Sequence, residues 1–255
     1  VAQLLDSGNL VVRGTDGGVI LWQSFDEPGD TLLPGMKLLL NTKTGFSRHL
    51  TSWKSPEDPS NGKYSYRVQV EKLPRLVLLE GSTVIRLSSG LWNGARFSGY
   101  PPYNANSFFT ASVVSSGDET TYGDTVIGNS SSTLVRVLLE SSGEIKRLVW
   151  KEETGKWSTL WWGPTLCERF DTCGPFGICT EGNFPYCRCL RGFRPRWPQE
   201  WSLGNGTGGC ERKTKLDCGG GGDVFVRVEQ VKLPELDGSS TVSLGMSLEE
   251  CRERC

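Results

Sequence analysis

The chain has 255 residues, 36% hydrophobic content and a formal net charge of −1 at pH 7, which gives no electrostatic reason to bind nucleic acid or anionic lipid. No apolar run reaches the roughly 18–20 residues that a membrane span needs. Domains usually hold about 100–150 residues, so we expect two or three modules, and 32 Gly, 13 Pro and only 2 Met favour strands and turns over long helices.

The first 160 residues have the pattern of short strands separated by turns. Polar and apolar residues alternate in three runs, as in half-buried strands: Tyr64–Val70, Thr133–Leu138 and Lys146–Trp150. Turn-forming residues predict tight turns at four places: Asp16–Gly18, Asn61–Gly62, Ser116–Asp118 and Ser142–Gly143. The expected fold class is therefore mainly β.

Two distant segments of the chain have weakly similar sequences, which we call the internal echo. Leu4–Leu10 resembles Leu138–Ile145, about 134 residues later. A repeated β-module would produce such an echo, and so would a chance similarity between two hairpins. The sequence leaves both explanations open.

All nine cysteines lie between Cys167 and Cys255. Six of them follow the spacing C-x5-C-x5-C-x7-C-x-C-x20-C: Cys167, Cys173, Cys179, Cys187, Cys189 and Cys210. This run predicts a disulfide framework from an oxidising compartment, although spacing alone does not assign the pairs. Zinc is disfavoured because the run has no C-x2-C pair and His49 lies far away.

The remaining motifs agree with an extracellular origin. Asn129 and Asn205 begin N-glycosylation sequons. After four glycines at 219–222, Val224–Val228 has the pattern of a strand, and Ser247–Glu250 is a capping box that predicts a helix starting at Ser247. The chain begins at Val1 without a signal peptide, so we expect the targeting segment to lie outside it.

Several blocks, in chain order, carry a family resemblance: Leu21–Asp26, Asp30–Met36, Leu50–Ser55, Gly90–Gly94 with Phe97–Gly99, Cys187–Pro195, and Phe225–Val228. Together they resemble the extracellular part of plant S-locus glycoproteins and G-type lectin S-receptor-like serine/threonine kinases. Leu91 stands where the family more usually has Pro. The resemblance covers nearly the whole chain.

The resemblance implies a domain order of bulb-type lectin (β-prism-like) modules, a disulfide-rich EGF-like module and a truncated PAN/apple domain. The expected bounds are 1–36 for the C-terminal part of the bulb-type lectin domain, 37–162 for the second lectin-like S-locus glycoprotein domain, 163–212 for the EGF-like domain and 213–255 for the N-terminal part of the PAN/apple domain. The implied disulfides are Cys167–Cys179, Cys173–Cys187 and Cys189–Cys210. Cys218, Cys251 and Cys255 are expected to be unpaired within this fragment.

A mannose site of the bulb-type lectin motif Q-x-D-x-N-x-V-x-Y is expected to be degenerate in this chain. The aligned positions hold Leu5, Ser7, Asn9, Val11 and Arg13. Only the Asn and the Val are retained, and a sugar contact that loses its polar partner loses its stabilisation. We expect Asn9 to hold a turn instead.

No catalytic residue, cofactor or metal ligand is expected. His49 is the only histidine and has no nucleophile motif beside it. The carboxylates of Asp26, Asp30 and Asp58 lie beside Pro and Gly, which is typical of solvated turns. Residues 204–209 match G-x-G-x-x-G inside a disulfide loop rather than between a strand and a helix, and no acidic residue stands at 164–166 to bind calcium before the first cysteine.

The resemblance implies the extracellular ligand-recognition region of a single-pass receptor-like kinase at the plasma membrane, as in recognition of pollen or other cell-surface signalling. The chain itself would not be an enzyme, although its full-length parent would be a serine/threonine kinase. The expected partner is an extracellular peptide or protein, bound between about residues 40 and 160, with a possible ectodomain homodimer. Membrane contact would come only through a segment outside the chain. The alternatives are a secreted S-locus-type glycoprotein without a kinase and a carbohydrate-binding lectin.

Overall fold

The computed structural model describes residues 1–15, 18–100, 109–126, 134–169, 172–217, 224–229, 231–232 and 245–250. The chain divides into two compact units, Val1–Glu168 and Arg169–Cys255. Within the described ranges, β-strands dominate the first unit, and the second unit has short strands and one short helix. The prediction of a mainly β fold is confirmed.

The strands of the first unit are short and joined by tight turns. In chain order they are β1 (Ala2–Leu4), β2 (Leu10–Arg13), β3 (Ile20–Gln23), β4 (Thr31–Leu32), β5 (Leu38–Asn41), β6 (Ser47–Arg48), β7 (Leu50–Ser55), β8 (Asp58–Val70), β9 (Pro74–Glu80), β10 (Val84–Ser88), β11 (Phe109–Ser116), β12 (Glu119–Val126), β13 (Val135–Leu139), β14 (Ile145–Lys151) and β15 (Lys156–Gly163). Single 3-10 turns lie at Ser24–Asp26 and Leu166–Glu168.

Three four-stranded antiparallel sheets build the larger part of the first unit, in the orders β10-β9-β8-β7, β11-β12-β5-β6 and β15-β14-β13-β4. Leu38, Leu50 and Leu139 come from three different sheets, and each has 0% exposure. They belong to one hydrophobic core, so the three sheets enclose a common interior in the manner of a prism. Full burial of a leucine side chain contributes roughly 1.5–3 kcal/mol, and this shared core therefore holds the sheets together.

A separate three-stranded sheet, β1-β2-β3, precedes the prism. Thr31–Leu32 follows this sheet and pairs with β13, so β4 is part of the prism. Leu32 has only 2% exposure in the prism core. The segment Thr31–Leu32 thus connects the three-stranded sheet to the prism and is itself anchored in the prism core.

Most of the strand and turn predictions in the first unit are confirmed. The alternating runs Tyr64–Val70 and Lys146–Trp150 lie inside β8 and β14, and the third run corresponds to β13, with Thr133 outside the described residues. Turns join β11 to β12 and β13 to β14 at the predicted Ser116–Asp118 and Ser142–Gly143. Part of the predicted Asp16–Gly18 turn lies outside the described residues.

The predicted turn at Asn61–Gly62 is wrong. Both residues lie inside β8, and the chain turns earlier, at 56–57. The ladder between β7 and β8 is irregular on both sides of Trp53, and a Cβ on Gly62 would come within 2.2 Å of the Trp53 carbonyl oxygen. Glycine therefore marks a close backbone approach in a bulged strand rather than a turn.

The two halves of the internal echo form equivalent hairpins. In the β1–β2 loop, the Leu5 amide donates to the Asn9 carbonyl over 2.9 Å, and the Gly8 amide donates to the Leu5 carbonyl over 2.8 Å. The β13–β14 loop has the same two bonds. The Glu140 amide donates to the Glu144 carbonyl over 2.8 Å, and the Gly143 amide donates to the Glu140 carbonyl over 2.9 Å. Gly8 and Gly143 also share a left-handed φ, +84° and +85°.

The equivalence continues into the third strand of each set. The β2–β3 ladder shifts register between Val12 and Arg13, and the β14–β15 ladder shifts at the corresponding place, between Arg147 and Leu148. Chance similarity between two hairpins would not reproduce the bulge in the next ladder. The structure therefore favours a repeated β-module, with β1–β3 corresponding to β13–β15.

The second unit is a small knot with two hairpins. Its elements are β16 (Gly177–Cys179), β17 (Cys187–Cys189), β18 (Phe193–Pro195), α1 (Pro198–Ser202) and β19 (Cys210–Arg212). β16 pairs with β17, and β18 pairs with β19. Its buried cluster consists of Cys173, Cys187, Cys210 and Trp201, so cross-links replace most of an apolar core.

Beyond the knot, one prediction is wrong and one is confirmed. Val224–Val228 is irregular rather than a strand, because no partner strand lies beside it in the described part of the chain, and Val224 is 82% exposed. The capping box is present: the Ser247 amide donates to Glu250 Oε2 over 2.7 Å, and the Glu250 amide donates to Ser247 Oγ over 3.2 Å.

Candidate ligand-recognition site

Asn9 holds the β1–β2 turn and the chain that follows β3. Its side chain is 7% exposed, and its Nδ2 donates to Gln23 Oε1 over 2.9 Å. Its Oδ1 accepts from the Phe25 amide and from Ser24 Oγ, both over 3.2 Å. The amide that would bind a sugar hydroxyl in an intact mannose motif is therefore occupied within the protein.

The other positions of the degenerate motif offer little to a sugar. Val11 has 0% exposure, Leu5 is half-buried and apolar, and Ser7 is exposed, with its Oγ 3.4 Å from the Asn9 amide. Arg13 lies half-buried at the end of β2. The structure places these five residues on one hairpin, but their polar groups do not converge on an open cleft.

A polar relay continues from Asn9 to the prism. Gln23 Nε2 donates to Asp26 Oδ2 over 2.9 Å. Asp26 Oδ1 pairs with Arg48 Nη2 at 2.7 Å, and Arg48 Nε donates to the Asp26 carbonyl over 2.9 Å. Arg48 lies on β6, so this relay fastens the three-stranded sheet to the prism. Asp26, which was expected to be a solvated turn carboxylate, lies in the Ser24–Asp26 turn with its side chain 43% exposed, and the ion pair with Arg48 is an additional contact.

The block from Gly90 to Gly99 forms a compact loop that inserts into the core. A Cβ on Gly90 would lie 2.4 Å from the Gly99 nitrogen, and Gly90 has φ +74°, so only glycine fits there. Trp92 meets Phe97 edge-on with 5.0 Å between ring centroids, and Phe97 is 2% exposed. Phe97 of this family-like block therefore contributes to the prism interior, while Asn93–Ala95 are exposed.

Asp124 and Arg147 form an ion pair inside the prism, with 2.7 Å between Oδ2 and Nη2. Tyr122 Oη donates to Asp124 Oδ1 over 2.8 Å, and the Arg147 guanidinium carbon lies 3.6 Å from the Phe109 ring centroid. Burial raises the pKa of Asp124, while Arg147 and Tyr122 oppose that shift. The pair cross-links two sheets and does not resemble a two-carboxylate catalytic site.

His49 lies between β6 and β7 with its Nδ1 3.2 Å from both Ser47 Oγ and the Ser47 carbonyl oxygen. Burial lowers the pKa of His49, the Ser47 carbonyl raises it, and the nearby Arg67 charge lowers it. No carboxylate among the described residues hydrogen-bonds the other ring nitrogen. His49 has the surroundings of a structural residue.

Two disulfides lie in the knot, Cys173–Cys187 and Cys189–Cys210, with Cα–Cα distances of 5.4 and 5.8 Å. Cys167 and Cys179 are also disulfide-bonded. A Cβ on Gly206 would come within 2.4 Å of Cys187 Sγ, so the loop after α1 lies directly against the first of these bonds. The G-x-G-x-x-G match thus belongs to a disulfide loop.

Asn205 is exposed beside the same disulfide. Its Nδ2 donates to Glu200 Oε2 over 2.8 Å, and its Oδ1 accepts from Thr207 Oγ1 over 2.7 Å. The sequon is therefore accessible at the surface of the knot. The other sequon residue, Asn129, and the three further cysteines, Cys218, Cys251 and Cys255, lie outside the described residues.

Two absences apply to the described ranges of the chain. Within them, no three His, Cys, Asp or Glu side chains are grouped so that they could hold a metal ion. No helix there has the length and apolar character needed to cross a membrane.

Two family models match the chain. The model described as D-mannose binding lectin matches residues 1–54, and the model described as S-locus glycoprotein domain matches residues 87–197. Together they cover the three-stranded sheet, much of the prism and part of the knot. The lectin model extends beyond the degenerate motif into the strands that begin the prism.

Curated plant proteins are similar over the whole chain. The receptor-like serine/threonine-protein kinase SD1-8 of Arabidopsis thaliana is 41% identical over 259 residues, which are 100% of this chain and 30% of that protein. The S-locus-specific glycoprotein S6 of Brassica oleracea is 40% identical over 260 residues, or 58% of its length. The G-type lectin S-receptor-like serine/threonine-protein kinase SRK of Arabidopsis thaliana is 36% identical over 259 residues, or 30% of its length.

The chain thus spans about a third of the receptor kinases and just over half of the glycoprotein. The matched region carries the degenerate lectin hairpin, the core-forming loop and the cross-linked knot described above. The chain belongs to the plant family of S-locus glycoproteins and S-receptor-like serine/threonine-protein kinases.

Proposed function

We propose that this chain is the extracellular ligand-recognition region of a plant receptor-like serine/threonine kinase. The observation that carries the proposal is the full-length match, at 41% identity, to a receptor-like kinase of which the chain covers only 30%. The disulfide-bonded knot supports an oxidising, extracellular location. Kinase activity would reside in a part of the parent protein outside this chain.

The ligand would be an extracellular peptide or protein, and its surface would lie on the prism, between about residues 40 and 160. A rigid three-sheet scaffold supports this location because it can present outer sheet faces and loops at fixed positions. Ectodomain homodimerisation would then bring two kinases together, with binding energy coupled to assembly. The domain bounds, the EGF-like and PAN/apple assignments, the pair Cys167–Cys179 and glycosylation at Asn129 and Asn205 belong to the same proposal.

The reading frame downstream of Cys255 tests the kinase part of the proposal. We expect an apolar span of about 20 residues followed by kinase motifs. A stop codon before any apolar span would contradict it. That outcome would favour the alternative of a secreted glycoprotein, which is supported by the 40% identity to S6.

A lectin that uses the degenerate motif is the other alternative. It requires Asn9 to release its bonds to Gln23, Ser24 and Phe25 before it could meet a sugar hydroxyl. A glycan array with the secreted chain and its Asn9→Ala variant separates the two functions. Mannose binding that disappears in the variant would favour the lectin, and equal signals would not.

A further inference from the structure

The outer side of the β13–β14–β15 sheet is unusual for an antiparallel sheet that faces solvent. Cross-strand partners point to the same side, and the outward pairs include Trp150 with Trp157 and Lys146 with Trp162. Arg136 pairs with Leu148 on the same side. We call the other residues on this side the aromatic face, leaving out Leu148, which is only 7% exposed: Leu134, Arg136, Leu138, Lys146, Trp150, Trp157, Thr159 and Trp162.

A neighbouring sheet of the same prism shows the ordinary pattern. On β11 and β12 the outward residues are mostly small or polar: Thr110, Ser112, Val114, Ser116, Glu119, Thr121, Gly123 and Thr125. Solvent-facing sheet sides usually carry polar residues of this kind. Three tryptophans on one solvent-facing side therefore indicate a surface that meets something other than water.

One indole ring of the aromatic face is exposed, that of Trp162, whereas Trp150 and Trp157 are half-buried. Trp162 is 47% exposed, and Leu134 at the opposite edge is 58% exposed. Trp150 and Trp157 meet edge-on, with 5.5 Å between ring centroids. An exposed indole ring provides a stacking platform for flat, weakly polar groups such as the C–H face of a pyranose ring.

Arg136 supplies a positive charge at the centre of this face. Its guanidinium carbon lies 4.5 Å from the Trp157 ring centroid, and its Nε is buried without a hydrogen-bond acceptor in the described part of the chain. The ion pairs at the hairpin end of the face join Lys146 to Glu140 and Glu144 and do not include Arg136. A guanidinium held against a ring and lacking a carboxylate partner is complementary to a carboxylate brought by a ligand.

We propose that the aromatic face binds saccharides that carry a carboxylate, such as uronic acids. A pyranose ring stacks on the exposed Trp162, and its carboxylate pairs with Arg136. In the first module the corresponding positions hold Val11, which is 0% exposed, and Gln23, which is bonded to Asn9, so the cation and the indole ring at Lys146 and Trp162 have no counterpart there.

The proposal goes beyond receptor function, since it concerns a ligand and a surface that peptide recognition does not require. The test titrates the secreted, glycosylated chain with a galacturonic acid hexamer by isothermal calorimetry. We expect saturable binding that weakens as salt increases. Arg136→Gln and Trp162→Ala should each weaken it by about tenfold or more.

The controls are matched to the two contacts. Trp53→Ala removes a 37% exposed tryptophan from a different sheet and Asn9→Ala alters the degenerate motif, and neither should change the affinity. Trp162 is exposed, so its variant should fold even where Arg136→Gln does not. A cellohexaose titration and a hexaglutamate titration test for neutral sugars and for acidic peptides.

Three results would overturn the saccharide site: no binding of the hexamer, binding unchanged in both variants, or equal binding of cellohexaose or hexaglutamate. None of these results would affect the recognition-region proposal, which the downstream reading frame tests. Binding of the hexamer with loss in both variants, and without binding of either comparison ligand, would establish the site.

Discussion

Arg147 on β14 and Asp124 on β12 form an ion pair between two different sheets of the prism, and their side chains are only 11% and 12% exposed. Removal of either partner takes the opposite charge away from a buried one, which typically costs about 3–5 kcal/mol. We expect Asp124→Asn to lower the free energy of unfolding by roughly this amount, as measured by urea denaturation.

The matched control replaces both partners with apolar residues of similar size. Asp124→Leu combined with Arg147→Met should be less destabilising than Asp124→Asn, because no unpaired charge remains. A single variant as stable as the unchanged protein would show that the pair does not hold the two sheets together.

Gly143 and Gly117 provide a comparison of two turn glycines. Both have positive φ, +85° and +58°, but a Cβ on Gly143 would lie 2.6 Å from the Tyr64 ring, whereas a Cβ on Gly117 would meet nothing within 4 Å. Gly117→Ala should cost about 1–2 kcal/mol for its backbone conformation alone. Gly143→Ala should cost about 1–3 kcal/mol more because of the clash.

Thermal or urea unfolding of the two glycine variants measures the difference. Equal losses of stability would mean that Tyr64 moves aside freely. In that case the β13–β14 turn is not packed against β8 in solution as it is in the structure.

Asn9→Ala should loosen the three-stranded sheet. The variant removes the acceptor of the Phe25 amide and the donor to Gln23, and a lost buried hydrogen-bond partner costs about 1–3 kcal/mol. We expect faster hydrogen exchange in Leu10–Arg13 and unchanged exchange in β9. Ser7→Ala, at an exposed position of the same turn, should leave exchange in both strands as it was, and an Asn9→Ala variant that behaves like Ser7→Ala would contradict the turn-holding role.

His49 makes stability depend on pH in a defined direction. Burial, the largest cause, lowers its pKa from the ordinary 6.5, so below about pH 6.5 the folded state binds fewer protons than the unfolded state. Stability contributed by neutral His49 is therefore complete above that pH and is lost as the pH falls through the folded-state pKa. The free energy of unfolding should fall between pH 7 and pH 5 more in the unchanged chain than in His49→Gln.

His49 is the only histidine, so the difference between the two proteins isolates its titration from that of buried carboxylates such as Asp124. Parallel pH profiles for the two proteins would mean that His49 titrates alike in the folded and unfolded states.

Much of the prism could be predicted from local pattern. Tyr66 and Val68 alternate with polar neighbours and are buried at 5% and 3% exposure, which is why the run containing them indicated a strand. The turn predicted at Asn61–Gly62 was wrong because this dipeptide is compatible with both a tight turn and a β-bulge. Only the distance to the Trp53 carbonyl separates those two possibilities, and that distance depends on a partner strand.

Polar contacts between distant residues were not predictable in the same way. Asp26 lies beside turn-forming residues, and nothing in its neighbourhood indicates Arg48, 22 residues away. The aromatic face was also missed, because the outward direction of Trp150, Trp157 and Trp162 depends on the bulge in the β14–β15 ladder. Alternation within β15 alone would place Trp161 and Trp162 on opposite sides without saying which one faces the core.

The central claim is that this chain functions outside the cell as an oxidised recognition module. Peptide mapping by mass spectrometry, with free thiols trapped during isolation of the native protein, tests it most directly. We expect a Cys173–Cys187 cross-link and a glycan on the exposed Asn205. Free thiols at both cysteines together with an unmodified Asn205 would contradict an extracellular location and the function proposed from it.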